Sequence, residues 1–371
     1  MANIIDYLKW RGDITFEQVK LGEVDNLLLS LLAFVDFSGI VSSDPSAPPV
    51  TLKQAAMQFF FENDVKKNTR PGLIISSHIY KMFRMMAESK RFGNLQLSAF
   101  VNEIDLKEEK QFCALTVRLK ESISYISFRG TDDTIVGWKE DFNLLFLDEI
   151  PSQRRAVQYV NAICAAQSGN FYIGGHSKGG HLALYATVKC APEHKNRIVA
   201  AFSNDGPGFS QAFTELPEYK AAEEKFHIYM PQNSVIGMFF ENKEKRRVVK
   251  SKQVGVFQHD AVSWEVMGGN FIRVKKLSKG VSDTAQLNER IHALPVAARK
   301  HFVDVLFTML ESTGVKTLSE LNAKSLKHII VMVRTFNDLD QRERDLMLLL
   351  VAEMLDLRLL DDKPIRDSKP Q

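Results

Sequence analysis

Over the first ninety positions, apolar residues recur at helical spacing. The run NLLLSLLAFVDF, residues 26–37, is apolar on most faces and reads as a buried helix, with Asp25 placed to cap it. Residues 41–50, VSSDPSAPPV, break the pattern with proline and serine. Helical spacing returns over 51–66 and 75–90, on either side of NTRPG. From residue 95 the period shortens. LQLSAFVNEI, QFCALTVRLK and SISYISFRG alternate or are rich in β-branched and aromatic residues, which predicts three strands. Lys120–Glu121 fits a tight hairpin between the last two. A helix is then predicted over Pro151–Ala166, and after it a short apolar run, Phe171–Tyr172–Ile173. That run ends in a glycine-rich turn, and a helix follows to about Cys190. The alternation continues with strand Ile198–Phe202, a helix near 210–223, strand Phe226–Met230, a helix near 234–243 and strand Lys252–Phe257. Strands and helices in turn imply parallel β-α-β units, so the fold class is α/β. From about Ala285 the spacing is helical to the end, in HFVDVLFTMLES, SLKHIIVMVRTF and RERDLMLLLVAEMLDL, with Asn337–Asp338 as a start signal for the last. The expected division is 1–284 for the α/β domain, with 1–94 helical and 95–284 holding the core sheet. A helical C-terminal extension follows over 285–371.

Composition narrows the classes. With 371 residues, 45% of them apolar and 25% charged, the chain is long enough for a large core and ordinary for a globular protein. A net charge of +3 gives no field suited to a polyanion, and the short basic run Lys243, Lys245, Arg246, Arg247 reads as a solvated loop, so no nucleic-acid partner is expected. Cys113, Cys164 and Cys190 lie far apart without a C-x-x-C, which argues against a disulfide framework and for a reducing compartment. The N-terminus carries Asp6, Lys9 and Arg11 and no apolar signal core. The longest apolar stretch, around Leu27–Val35, is too short to span a bilayer. A cytoplasmic location without an integral membrane segment is therefore expected.

The chemistry concentrates in YIGGHSKGGHLALYA, residues 172–186. Gly175, His176, Ser177, Lys178 and Gly179 form G-x-S-x-G between an apolar run and a helix. That is the setting of a nucleophile elbow, where a sharp strand-to-helix turn requires small residues two before and two after the serine. Gly179, Ala183 and Ala186 share one helix face and permit close packing on a sheet. The competing reading is a tight glycine turn. A phosphate loop is not matched, since G-x-x-x-x-G-K-[ST] is missing. A serine hydroxyl also needs a base, an acid to orient it, and donors for the oxyanion. The Lys178 N–H, at the positive end of the helix, is one such donor. A serine/lysine dyad using its side chain is the less favoured alternative. Upstream, SFRGTDDTIVGWKEDF turns out of a strand at Gly130–Thr131, and Thr131 offers an N–H and a hydroxyl. By itself Thr131 reads as an ordinary turn residue. His176 and His181 are not at the i, i+4 spacing of a zinc-binding helix, so no metal or other cofactor is expected.

F-R-G-T followed by Trp138 and Asp141, then G-H-S-K-G-G with its small-residue helix, resembles the class 3 lipase pattern. The whole chain is more similar to the Mbeg1-like branch of the α/β-hydrolases, a bacterial family. NIIDYLKWRGDITF, DNLLLSLLAFVDFSGI, FRGT, GGHSKGGHLA, SNDGPGF, MPQNSVIGM and QHDAVSW carry the likeness. It implies an α/β-hydrolase fold, a mostly parallel central sheet flanked by helices, to which the helical spacing at both ends of the chain adds helical N-terminal and C-terminal extensions. It also implies Ser177 as nucleophile, with Thr131 and Lys178 around the oxyanion, and little about substrate.

Among the histidines after Ser177, His227 lies in a strand-like run, and His292, His301 and His328 fall in the helical tail. His259 follows the last predicted strand, where a base arriving on a loop belongs, and it matches the family's Q-H-D. His176 reads as a packing residue of the elbow. In class 3 lipases the acid occupies a loop that corresponds here to Ser234, with Asn233 beside it, and neither is a carboxylate. Asp205, in FSNDGPGF at the end of the preceding strand, is the chosen acid, although N-D-G-P is also an ordinary turn. Asp260 is too close in sequence to His259 to orient it easily. The expected function is a serine hydrolase that cleaves a small-molecule or lipid-like ester through acyl-Ser177. The alternative is a non-enzymatic binding module on the same fold, motivated by the missing carboxylate near Ser234.

Overall fold

Eight strands form one sheet in the order in which they occur along the chain. They are β1 (Val50–Thr51), β2 (Gln96–Asp105), β3 (Lys110–Lys120), β4 (Ile123–Phe128), β5 (Asn170–His176), β6 (Ile198–Asn204), β7 (Phe226–Pro231) and β8 (Arg246–Val249). The pairs from β1 to β4 are antiparallel, and β4 to β8 run parallel. This computed structural model describes residues 1–63, 78–234, 236–238, 246–275, 291, 293–321, 326–341 and 344. Among the described residues, no helix is long and apolar enough to cross a membrane.

The sequential order has a consequence. Right-handed crossovers between neighbouring parallel strands place every connecting helix on the same face. That face holds α6 (Pro151–Ala166) and α7 (Lys178–Lys189). Ala156, Val160 and Ile163 of α6 and Leu182, Ala183 and Ala186 of α7 pack there with Ile126, Phe128 and Ile173 of the sheet. The connectivity cannot supply a layer for the other face, and the N-terminal helices do so. The helices α1 (Ile4–Arg11), α2 (Glu23–Leu32), α3 (Leu52–Glu62) and α4 (Ile79–Glu88) bring Leu8, Leu28, Ala55, Phe59 and Phe83 against Leu115, Val117, Tyr125 and Phe202. Tyr125 and Ile126 fall on opposite sides because side chains alternate along a strand. The result is an α/β-hydrolase fold, a predominantly parallel sheet between two helical layers.

Several elements depart from their sequence-based bounds. Gly22, not Asp25, is the N-cap of α2. Asp25 lies inside the first turn, where its Oδ2 accepts the Gly22 N–H at 2.9 Å and a 2.6 Å ion pair from the buried Arg91. The helix expected near 210–223 is divided into Gln211–Thr214 and Pro217–Ala222, because Pro217 has no N–H to continue a helix and is tolerated only at a start. Over 234–243 the described part is a short 3₁₀ turn, Ile236–Met238. Lys252–Phe257 is not a strand. The sheet's last strand is β8, and Gly255, at φ +54°, opens the 3₁₀ turn Gly255–His259. Val254 and Phe257 are exposed, so that stretch has no buried face to pair a strand. The C-terminal patterns give helices Val296–Glu311 and Leu326–Asp338. Asp338 therefore ends a helix rather than starting one, and RERDLMLLLVAEMLDL lies almost wholly outside the described residues, as does His292.

Candidate active site

β5 ends at His176 and α7 begins at Lys178, which leaves Ser177 to make the whole turn. Its φ of +59° and ψ of −135° are costly for a residue with a side chain. The neighbours impose this conformation. A Cβ on Gly175 would lie 2.2 Å from Gly179 C, and one on Gly179 would lie 2.1 Å from the Phe128 carbonyl oxygen. Strand and helix therefore approach as closely as glycine allows. The Ser177 N–H donates to Asn204 O at 3.0 Å, which fastens the turn to the end of β6. From Ile173 to Val188, Ser177 alone is not fully buried. Its hydroxyl does not cap the helix that it precedes.

The chain leaves β6 at Asp205, another residue held at positive φ, +55°. Its N–H bonds Tyr229 O at 2.7 Å. Asp205 Oδ2 lies 2.7 Å from His259 Nδ1, with both residues buried. That nitrogen therefore carries the ring proton, and Nε2 is the one left to act as a base. The other carboxylate oxygen, Oδ1, accepts a short hydrogen bond from Ser234 Oγ, which in turn accepts the Gly237 N–H at 2.8 Å. The two positions weighed as alternatives for the acid thus belong to one cluster, in which the serine supports the aspartate. His176 is more than a packing residue. Its Nε2–H donates to His259 O at 2.8 Å, and the two rings lie 4.5 Å apart. Burial, and then the neighbouring His259, hold the His176 pKa well below the ordinary histidine value, so this ring stays neutral. The His259 loop is fixed further by Trp264 Nε1–H to Gln258 O at 2.9 Å and by Asn233 N–H to Gln258 Oε1 at 2.9 Å. Asp260 accepts from the Val262 N–H at 3.0 Å and begins the next turn.

The Gly130–Thr131 turn passes directly beside Ser177. A Cβ on Gly130 would meet His176 O at 2.5 Å and Ser177 Cβ at 2.9 Å. The Thr131 hydroxyl donates a short hydrogen bond to Asp141 Oδ2, on α5 (Ile135–Asn143). The Lys178 N–H is the first amide of α7 and has no acceptor within that helix. Its side chain turns inward, to Glu140 Oε2 at 2.9 Å, Gln111 Oε1 at 3.0 Å and Gln111 O at 3.1 Å. Glu140 also accepts from Ser152 N and Ser152 Oγ, both at 2.8 Å, so this buried ion pair is well satisfied. Desolvation opposes the Lys178 charge, but Glu140 and Asp141 outweigh it and keep its pKa above the usual lysine value. Desolvation pushes the Asp141 carboxyl up to about 6, against the pull of Lys178 and Thr131.

Two features gave little sequence signal. One is a buried polar cluster behind the elbow, in which Asn204 bonds Asn26 Oδ1 through its amide and also Ser30 Oγ and Gly175 O, while Tyr125 OH donates to Asn26 Oδ1 at 2.7 Å. Asn26 and Ser30, spaced i, i+4 in an apolar helix, are the visible trace of it. The other is the C-terminal region. Thr317 bridges Thr134, Ile135 N–H donates to Lys316 O at 3.0 Å, and Leu318 N–H donates to Asp133 O at 2.9 Å. This strap pairs with the loop that follows Thr131, and helix Val296–Glu311 packs Phe302 and Phe307 against Ile135, Trp138 and Phe142 of α5. The described histidines weighed beside His259 as the base stand apart from this site. His227 lies in β7 against Arg247, while His301 and His328 lie on the C-terminal helices. Among the described residues no group of three or more His, Cys, Asp or Glu side chains is arranged to hold a metal ion.

The family model of the Mbeg1-like proteins matches residues 86–308, a span that includes Thr131, Ser177, Asp205, Ser234 and His259. No curated protein matches the chain. Among solved structures, M37 lipase is similar to it at 13% identity, over 50% of this chain and 69% of its own, with a TM-score of 0.31. The chain belongs to the Mbeg1-like family.

Proposed function

We propose that this member of the Mbeg1-like family is a serine hydrolase that cleaves a carboxylic ester through an acyl-Ser177 intermediate. The observation that carries the reading is the Asp205–His259 pair, 2.7 Å apart and held to the strained Ser177 turn through the His176 ring. In this reading His259 Nε2 takes the Ser177 proton as Oγ attacks the ester carbonyl. The oxyanion forms between the N–H groups of Lys178 and Thr131, while the Thr131 hydroxyl stays on Asp141. Collapse of the tetrahedral intermediate expels the alcohol, which receives the proton from His259. Water, activated by the same Nε2, then attacks the acyl carbonyl, releases the carboxylic acid and restores Ser177. Among the described residues, Ser177 Oγ and His259 Nε2 do not share a hydrogen bond in the resting structure. Contacts of this kind commonly tighten when substrate binds.

The inward course of the Lys178 side chain argues against a serine/lysine dyad. A non-enzymatic module was motivated by a missing carboxylate at Ser234, and Asp205 on His259 supports the enzyme instead. The test is reaction with a fluorophosphonate probe at neutral pH beside Ser177→Ala, followed by turnover of simple esters. Labelling that depends on Ser177 is expected, and its absence in the folded protein would sink the reading.

A further inference from the structure

Lys178 follows the proposed nucleophile, and the mechanism above uses only its N–H. Its side chain is 1% exposed and faces the fully buried Glu140. The ammonium has three protons and three acceptors, Glu140 Oε2 at 2.9 Å, Gln111 Oε1 at 3.0 Å and Gln111 O at 3.1 Å. Glu140 is held just as firmly. Its Oε2 also accepts the Gln111 N–H at 3.0 Å from β3, and α6 supplies the Ser152 N–H to Oε1 and the Ser152 hydroxyl to Oε2, both at 2.8 Å. An apolar pair of similar volume is often as stable as a buried ion pair or more so, so stability is a weak reason for charges at this place.

The same ammonium reaches the group that holds the second oxyanion candidate. Lys178 Nζ lies 3.6 Å from Asp141 Oδ1, and the Thr131 hydroxyl donates to Oδ2 of that carboxylate. Glu140 and Asp141 are consecutive residues of α5. Thr131 and Lys178 come from different places, the turn after β4 and the start of α7, yet their side chains meet on one helix. The contacts form a continuous path: the Thr131 side chain to Asp141, Asp141 to the Lys178 ammonium, and the lysine stem back to the N–H that opens α7. Two donors serve an oxyanion only if both lie about 2.7–3.1 Å from where its charge develops, so their separation has to be fixed before substrate binds.

We propose that the Lys178 side chain and Glu140 are positioning residues: with Asp141 they clamp the backbone N–H groups of Thr131 and Lys178 at the separation that the tetrahedral intermediate requires. This assignment rests on the serine-hydrolase reading above and deepens it. Glu140 fixes the lysine, and the lysine fixes its own N–H relative to Asp141 and so to Thr131. The ammonium keeps its protons throughout the reaction, and neither side chain touches the ester.

The test combines Lys178→Met with Glu140→Gln in the full chain. Methionine fills the place of an unbranched stem, and the double change leaves neither position with an unpaired charge. Rates are taken per Ser177 that accepts a fluorophosphonate at completion, so a misfolded fraction does not count. With a p-nitrophenyl ester, kcat should fall about 10- to 100-fold, while KM stays within about threefold. Affinity for the trifluoromethyl ketone analogue of the ester, whose hemiketal carries the oxyanion, should fall by the same factor as kcat/KM. Glu140→Gln alone, which keeps acceptors for Ser152 and Gln111, should lower kcat and analogue affinity at least about threefold, and it decides the matter if the double variant does not fold. Lys139→Met, on the same helix but paired with Glu109 and Glu311, should leave both within about twofold. Values within about twofold of wild type in both Glu140 variants, a loss confined to KM, or an equal loss in Lys139→Met would overturn the clamp alone. A folded wild type that neither labels at Ser177 nor hydrolyses any ester would end the hydrolase reading, and the clamp with it.

Discussion

Asp205 commits both carboxylate oxygens inside the site, one to His259 and one to Ser234. Asp205→Asn should therefore reduce ester turnover by about 10²–10⁴-fold, since an amide no longer fixes the His259 tautomer. Asp260→Asn, at a side chain that accepts the Val262 N–H rather than a bond from the His259 ring, should change it by less than about threefold. Kinetics of the two purified variants decide this, and equal small effects would remove Asp205 from its proposed role. Asp141 gives a second test at this scale. Burial raises its folded pKa to about 6, above the ordinary aspartate value of 3.8, so folding disfavours its ionised form. Stability from this group is full below the unfolded pKa and is lost as pH rises through about 6. Asp141→Asn, which keeps an acceptor for Thr131, should melt higher than the wild type at pH 8 and nearly the same at pH 4. A lower melting temperature at pH 8 would mean that attraction to Lys178 outweighs desolvation. As candidates, Ser177, Asp205 and His259 are legible in the sequence because each is a reactive residue type in a recognisable place, a glycine elbow, a strand end or a loop behind the sheet. The bond from Ser234 to Asp205 was not legible, since it depends on the reach of side chains from two loops.

At the scale of elements, alternation and glycine placement carried most of the information. Strands β2 to β4 read clearly from their period, and Pro151–Ala166 from its helical spacing. Reading failed where local chemistry overrode a pattern. The apolar residues of 252–257 resemble a strand, but Gly255 turns the chain and Val254 and Phe257 face solvent. Pro217 divides a helix that the spacing alone would join. The strap at 316–318 left no trace, because a single bridge and its flanking hydrogen bonds have no period to read. It nonetheless holds the loop next to Thr131, and that makes it testable. Leu318→Pro removes the N–H that donates to Asp133 O. Leu318→Ala keeps that N–H and loses only packing. The proline variant should show kcat about tenfold below the alanine variant at similar melting temperature. Equal kcat values would confine the strap to a structural role.

For the whole molecule, the sequential strand order explains the domain's layering. One face is covered by its own crossover helices, and the other by helices from the N-terminus. The apolar run at 26–37 signalled a buried helix, but no local feature says that it lies across β4 and β5, beneath the elbow. There, buried Asn26 and Ser30 reach Asn204, whose carbonyl holds the Ser177 N–H. The Gly130–Thr131 turn and the loop that begins at Asp205 lie against Ser177, and the His259 loop is bonded to the adjoining His176. The most direct test of Ser177 as the nucleophile is intact-mass analysis after fluorophosphonate treatment at pH 7.5, with the fold checked by circular dichroism. One adduct per wild-type chain, mapped to Ser177, is expected, with no adduct on Ser177→Ala and markedly slower labelling of Asp205→Asn. A folded wild-type chain that takes up no probe, or that labels equally well without Ser177, would contradict that role.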